Sequence, residues 1–227
     1  MKKLVIFDLD GTLLNTISDL GSACNYALKK NGYSEHSLSA YNYMVGNGVR
    51  KLLERAAPDA TEEQVDRLFA DFREYYDEHC TDMTRPYPGI EGLLRDLQSQ
   101  GVKIAVASNK YQGAVEKIIG HYFGDIEFAA VRGEQPGYPR KPDPSILFAI
   151  LNECPTPKQE VLMVGDSAVD METARRACVE SAGVTWGFRP ASELRKACAD
   201  HIISDTAEIA VIATKPLPTN LSPRRSR

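Results

Sequence analysis

Short apolar runs rich in β-branched residues recur along the chain and alternate with segments of helical period, and this alternation constrains the fold most. The strand candidates are Leu4 to Phe7, Val102 to Ala107, Ile126 to Val131, Val161 to Val164, Gly183 to Trp186 and Ile202 to Ile203. Between them Ile90, Leu93, Leu94 and Leu97 share one helical face, as do Val115, Ile118, Ile119 and Tyr122. Parallel neighbours need crossover helices, so the pattern predicts a doubly wound α/β core on a parallel sheet.

The alternation breaks after the first strand, where residues 16–84 hold only helical patterns. An inserted α-helical domain is the simplest account, with the core formed by residues 1–15 and 85–214. Its first helix repeats Ile17, Leu20, Ala23, Cys24, Ala27 and Leu28 and stops at Asn31-Gly32. A later helix opens with a capping box, Thr61 to Gln64, and aligns Val65, Leu68, Phe69, Phe72 and Tyr76 on one stripe. The insert returns through Arg85-Pro86-Tyr87-Pro88-Gly89, whose prolines restrict a hinge. Residues 215–227 carry basic groups and prolines with little to bury, which predicts a flexible tail.

A chain of 227 residues is long enough to bury a substantial core without staples. Its net charge of −4 argues against a nucleic acid partner. No apolar run approaches a membrane span, and Leu4 to Phe7 falls far short of a signal-peptide core, so a cytoplasmic protein with no membrane partner is expected, as monomer or homodimer. The five cysteines include no C-x-x-C pair, which suggests reduced thiols, and the four histidines are scattered.

The first strand runs into Asp8-Leu9-Asp10-Gly11-Thr12. This puts two carboxylates on one side of an extended segment at the edge where open α/β sheets bind ligands. Gly11 lets the chain turn, so that following amides and the Thr12 hydroxyl can reach an anion. Two like charges beside a phosphate require a cation, and Mg2+, a hard ion preferring oxygen ligands, is the expected cofactor. Asp166 and Asp170 follow the strand Val161 to Val164 and open at the same edge, supplying further carboxylates to the ion. Ser108 and Asn109 end the second strand with polar groups for phosphate oxygens, and Lys141 adds a positive charge for a transferring phosphoryl group.

In these motifs, DLDGT, the Ser108 loop, Lys141 and GDSAVD, the chain resembles the haloacid dehalogenase superfamily across its whole core. The resemblance implies a Rossmann-like fold, with Asp8 as the nucleophile of an aspartyl-phosphate intermediate. It implies that Asp10 first protonates the leaving oxygen and then activates water, and that Asp8, Asp10, Asp166 and Asp170 lie at the metal. Asp10 argues against the carbon-halogen branch, which lacks an acid there. The insert is similar to the helical C1-type cap of one class of these enzymes. The stretches Ser18-Asp19-Leu20 with Asn25, Val45 to Arg50 and Leu53 to Ala56 are similar to phosphoglycolate phosphatases. This implies a small phosphomonoester partner, 2-phosphoglycolate, whose carboxylate meets the Gly46, Asn47 and Gly48 loop and Arg50. Asn15 stands where many relatives have aspartate, and the loop Gly133 to Arg140 is longer and richer in Gly and Pro than regular structure alone leads one to expect.

Alternatives are a sugar-phosphate mutase of the β-phosphoglucomutase type, a pyrophosphatase, or another small-molecule phosphatase. The first cap helix lacks a histidine and carries Asp19-Leu20, which favours hydrolysis over mutase chemistry. A receiver-type phospho-aspartate switch has related chemistry, but its phosphorylated aspartate follows the third strand, without a helical insert.

Overall fold

The computed structural model describes residues 1–216, so residues 217–227 of the expected tail lie outside the described residues. In chain order the elements begin β1 (Leu4–Phe7), β2 (Leu14–Asn15), α1 (Ile17–Lys30), α2 (Val49–Ala56), α3 (Glu62–His79), β3 (Arg85–Pro86) and α4 (Ile90–Ser99). They continue with β4 (Lys103–Tyr111), α5 (Gln112–Phe123), β5 (Ala130–Glu134), α6 (Ser145–Glu153), β6 (Val161–Gly165) and α7 (Ala168–Ala177). The last are β7 (Glu180–Val184), α8 (Ala191–Lys196), β8 (His201–Ile203) and α9 (Thr206–Thr214).

Six strands form a parallel sheet in the order β5-β4-β1-β6-β7-β8. β1 is central because all four of its residues are apolar and both its faces are covered. Val5 and Phe7 enter one core with Leu93, Leu94, Leu97 and Val115, while Leu4 and Ile6 enter another with Leu147, Ile150 and Ala174. The period-two alternation of a strand thus divides one short run between two helical layers. β1 pairs with β4 on one side and β6 on the other, so the sheet changes winding direction there and leaves a crevice beyond the carboxyl ends of these strands.

Between β2 and β3 the chain forms helices only, with a 3-10 turn at Leu38–Tyr43. The capping box of α3 forms: Gln64 N–H donates to Thr61 Oγ1 at 3.3 Å, and Thr61 N–H donates to Gln64 Oε1 at 2.7 Å. β2 and β3 pair antiparallel, Leu14 opposite Pro86 and Asn15 opposite Arg85, and so tie the two connections to the helical insert together. Asp19 reinforces the tie. Its carboxylate, 2% exposed, accepts from the amides of Met83 and Thr84 and from the Thr84 hydroxyl. The Asp19-Leu20 pair therefore divides its work, Asp19 binding the return connection and Leu20 reaching the cleft described below.

Several strand limits differ from those expected of the sequence. β4 continues to Tyr111, past the expected end at Ala107, because Ser108, Asn109 and Lys110 are themselves buried. β5 begins at Ala130 rather than Ile126; Ile126 and Phe128 pack on the core from the turn before it. β7 is shifted toward its start, to Glu180, because that polar residue is satisfied by Lys2 at 2.5 Å and His201 at 2.6 Å.

Candidate active site

Asp8 follows β1, and its amide donates to Val164 O at 2.8 Å, extending the β1–β6 ladder by one step. Lys141 Nζ, on the loop before α6, donates to Asp8 Oδ1 at 2.8 Å and to Asp170 Oδ1 at 2.7 Å. Asp166 stands on the turn after β6. Oxygens of Asp8, Asp166 and Asp170 lie within 4.8 Å of one another, and all three residues are buried.

This crowding shapes the protonation of the cluster. Burial pushes the Asp8 carboxyl up to about 7; Lys141 opposes the shift and Asp170 adds to it. Burial, followed by the charges of Asp170 and Asp8, holds Asp166 well above the usual carboxylate range. For Lys141 burial acts downward, but the Asp170 and Asp8 carboxylates overcome it and raise the ammonium above its ordinary value. Three carboxylates around one lysine leave excess negative charge, the condition a divalent cation relieves.

The surroundings also fit an ion. A Cβ on Gly11 would stand 2.4 Å from Asp166 Oδ2, and one on Gly187 would stand 2.3 Å from Asp166 Cβ. Both backbones are therefore pressed against the carboxylate. Phe188 N–H donates to Asp166 Oδ2 at 2.7 Å, fixing its orientation. Both oxygens of Asp170 are engaged, Oδ1 by Lys141 and Oδ2 by the Ser167 hydroxyl at 2.7 Å. Asp170 thus orients Lys141 and caps α7 while it adds charge to the cluster.

Asp10, expected beside the metal, turns its carboxylate elsewhere. Its Oδ1 accepts from Thr16 Oγ1 at 2.6 Å and stands 3.0 Å from Lys110 Nζ. The two aspartates of DLDGT therefore occupy different electrostatic environments, one facing Lys141 and the carboxylate cluster, the other facing the insert. Asp8, Asp10, Ser108, Asn109 and Lys110 form the polar floor of a cleft, and Leu20, Val45, Gly46, Gly48, Val49 and Leu52 of the insert form its wall.

The family model for haloacid dehalogenase-like hydrolases matches residues 5–184. The chain belongs to this family. A phosphoglycolate phosphatase of Cereibacter sphaeroides is 38% identical over 197 residues, covering 82% of this chain and 87% of its own. One from Agrobacterium fabrum is 32% identical over 215 residues, covering 92% and 91%. Among solved structures, a predicted phosphoglycolate phosphatase from Haemophilus somnus superposes with a TM-score of 0.86 at 29% identity, covering 93% of this chain and 97% of that one.

Within this hydrolase fold the remaining expected site residues separate. Ser108 lines the cleft and its hydroxyl accepts from Lys110 N–H at 3.2 Å. The Asn109 side chain is not free for an anion: its amide donates to Gly46 O and Lys141 O, each at 3.0 Å, and its oxygen accepts from Lys141 N–H at 2.8 Å. Asn109 thus fastens the lysine loop and the insert to β4. Thr12 is wholly buried and does not line the cleft; its Oγ1 has no hydrogen-bond partner among the described residues, while its carbonyl accepts from Trp186 Nε1 at 3.1 Å.

In the insert, Gly46 and Gly48 reach the cleft, whereas Asn47 and Arg50 do not line it. Arg50 pairs with Asp66 at 2.5 Å, with Glu62 and Glu54 further off, and Asn47 accepts from Arg55 Nη2 at 2.8 Å. Acidic residues on α3, remote in sequence, draw Arg50 away from the position expected of it.

Two residues that sequence pattern does not single out belong to this region. Lys110, 5% exposed, also donates to Tyr76 OH of α3 at 2.8 Å and lies 4.7 Å from the centre of that ring. Arg189, after β7, donates to Val45 O at 3.0 Å and crosses from the sheet to the insert. The signal for Lys110 is present in the sequence as the third residue of Ser108-Asn109-Lys110, but the spacing says nothing of its partners Tyr76 and Asp10.

Proposed function

We propose that this hydrolase removes phosphate from 2-phosphoglycolate, with Mg2+, through an aspartyl-phosphate on Asp8. The chain is a phosphoric monoester hydrolase; the finer reading concerns substrate, metal and residue roles. The observation that carries it is the convergence of Asp8, Lys141, Asp166 and Asp170 at one sheet edge, with the Asp10 carboxylate turned instead to Thr16 and Lys110.

In this reading Lys141 holds Asp8 Oδ1 and leaves the second oxygen of Asp8 to attack phosphorus. The phosphoryl group transfers to that oxygen as the ester bond breaks. Asp10, positioned by Thr16 and Lys110, gives its proton to the departing glycolate oxygen. Asp10 then takes a proton from water, whose oxygen attacks the aspartyl-phosphate and returns Asp8 to its carboxylate. Asp8, Asp166 and Asp170 are the residues that would hold Mg2+, which when bound offsets the charge shared by the carboxylates and the transferring group. Lys141 adds the fixed positive charge.

Residues 16–84 act as a cap. Arg189 and Asn109 hold the wall of Val45 and Gly46 over the floor, and Leu20, Val49 and Leu52 give the cleft an apolar lining that would exclude water when the cap shuts. The identity of the named relatives from Cereibacter and Agrobacterium supports the substrate.

The test is a panel of small phosphomonoesters, sugar phosphates and pyrophosphate, assayed for inorganic phosphate with and without Mg2+, alongside Asp8→Asn. Release from 2-phosphoglycolate that needs Mg2+ and vanishes in the variant is expected. Isomerised sugar phosphate without phosphate release, or activity persisting in Asp8→Asn, would overturn the reading.

A further inference from the structure

Resting on this phosphatase reading, we propose that Lys110 is the specificity residue that binds a second anionic group on the substrate, selecting phosphate esters of short α-hydroxy carboxylates. Lys110 supplies the only cationic side chain among the described residues that line the cleft. The cations of the insert nearby are committed elsewhere: Arg50 to Asp66, and Arg55 to Met44 O at 2.7 Å and Asn47 Oδ1 at 2.8 Å. Arg189, from the sheet side, donates to the Tyr43 and Val45 carbonyls and does not line the cleft.

An ammonium has three N–H donors. Those of Lys110 meet Asp10 Oδ1 at 3.0 Å and Tyr76 OH at 2.8 Å, which leaves one for a ligand. The position matches the chemistry assigned to Asp10. When the ester oxygen lies at Asp10 to receive its proton, the carboxylate carbon of an α-hydroxy acid is two bonds away, roughly 2.5 Å. A carboxylate oxygen on that carbon therefore falls within reach of a cation that already touches Asp10.

The wall opposite is apolar, formed by Leu20, Val45, Val49 and Leu52. It provides no side-chain hydroxyl or amide partners for a polyol. A leaving group that is compact and carries one carboxylate beside the ester carbon satisfies both surfaces. A neutral ester of the same size leaves the remaining N–H donor of this buried ammonium unpaired, which is how a polar site rejects an analogue lacking the matching group.

The test compares two inert phosphonates by isothermal titration, with Mg2+ present: 3-phosphonopropionate, which mimics phosphoglycolate with carbon in place of the ester oxygen, and propylphosphonate, which lacks the carboxylate. The wild-type protein is expected to bind the first about 30-fold more tightly, and Lys110→Met to reduce that ratio to about threefold or less. Lys110→Arg, which keeps the charge, retains most of the preference. In turnover, kcat/KM falls for both 2-phosphoglycolate and ethyl phosphate in Lys110→Met because Asp10 loses a partner, but their ratio collapses toward unity. An unchanged ratio, with both substrates falling equally, would overturn the proposal and leave Lys110 a positioning residue for Asp10. Lack of carboxylate preference in the wild-type protein would overturn it as well.

Circular dichroism of each variant establishes folding. Should Lys110→Met not fold, Lys110→Gln provides the same comparison: a collapsed ratio supports the proposal and an unchanged one overturns it. The outcomes separate this proposal from the one it rests on. A wild-type preference for carboxylate-bearing ligands that Lys110 controls, found together with best turnover of a different carboxylate ester, sustains the Lys110 assignment while refuting phosphoglycolate as substrate.

Discussion

In metal-free protein, Asp8→Asn is expected to stabilise the fold above neutral pH, although it removes the proposed nucleophile. Burial lifts the Asp8 carboxyl from its ordinary 3.8 to about 7, against the pull of Lys141 and with the push of Asp170. An acid whose pKa rises on folding keeps a proton in the folded state that the unfolded chain has released. Its contribution to stability is whole below about pH 4, declines as pH rises through the interval from 4 to 7, and is lost beyond it. A shift of three units corresponds to on the order of 4 kcal/mol at about 1.4 kcal/mol per unit. Asparagine carries no charge and avoids this cost. With a chelator at pH 8, Asp8→Asn should therefore be more stable by on the order of 4 kcal/mol in urea unfolding, with a melting temperature roughly 8–16 °C higher. At pH 4.5 the difference should shrink to about 1 kcal/mol. Saturating Mg2+ should narrow or reverse the order, because a ligand that binds only the folded state stabilises it, and the variant lacks one carboxylate of the cluster. A variant no more stable than the wild type at pH 8 without metal, or a difference that does not change with pH, would refute the reasoning.

Lys141→Met removes the cation that Asp8 and Asp170 share and should lower kcat/KM by about 100- to 1,000-fold; a loss under about tenfold would contradict its electrostatic role. Gly187→Ala puts a Cβ 2.4 Å from Gly11 O and against Asp166, so the Mg2+ concentration for half-maximal activity should rise by at least about tenfold. An unchanged Mg2+ titration would show that Asp166 is not constrained as described. Asp19→Ala leaves the Met83 and Thr84 amides without their buried acceptor and should cost about 2–4 kcal/mol in urea unfolding, which a neutral result would contradict.

Local pattern along the chain was enough to imply a parallel sheet and the carboxylates that follow two of its strands. Hydrophobic period is a local property, and the four-residue run Leu4 to Phe7 already implies a strand buried on both faces. A carboxylate placed directly after such a strand must emerge at the sheet edge, so the gathering of Asp8 and Asp166 is legible in the sequence. The capping box of α3 was legible for the same reason, since both its partners lie within one helical turn.

Which side chains finish the site depended on packing, because those choices rest on pairs distant along the chain. Arg50 suited an anion by charge, but docking α3 beside α2 offers it Asp66 first. Asn109 suited a phosphate by its amide, but the Lys141 loop and Gly46 consume every bond it makes. Lys110 stands at the end of a strand with no role that local pattern assigns, and only folding of the insert sets Tyr76 above it and Asp10 beside it. Asp8 and Asp10, two residues apart, diverge for the same reason: each faces a different lysine, one brought by the core and one by the extended end of β4, and spacing within a strand carries no information about either.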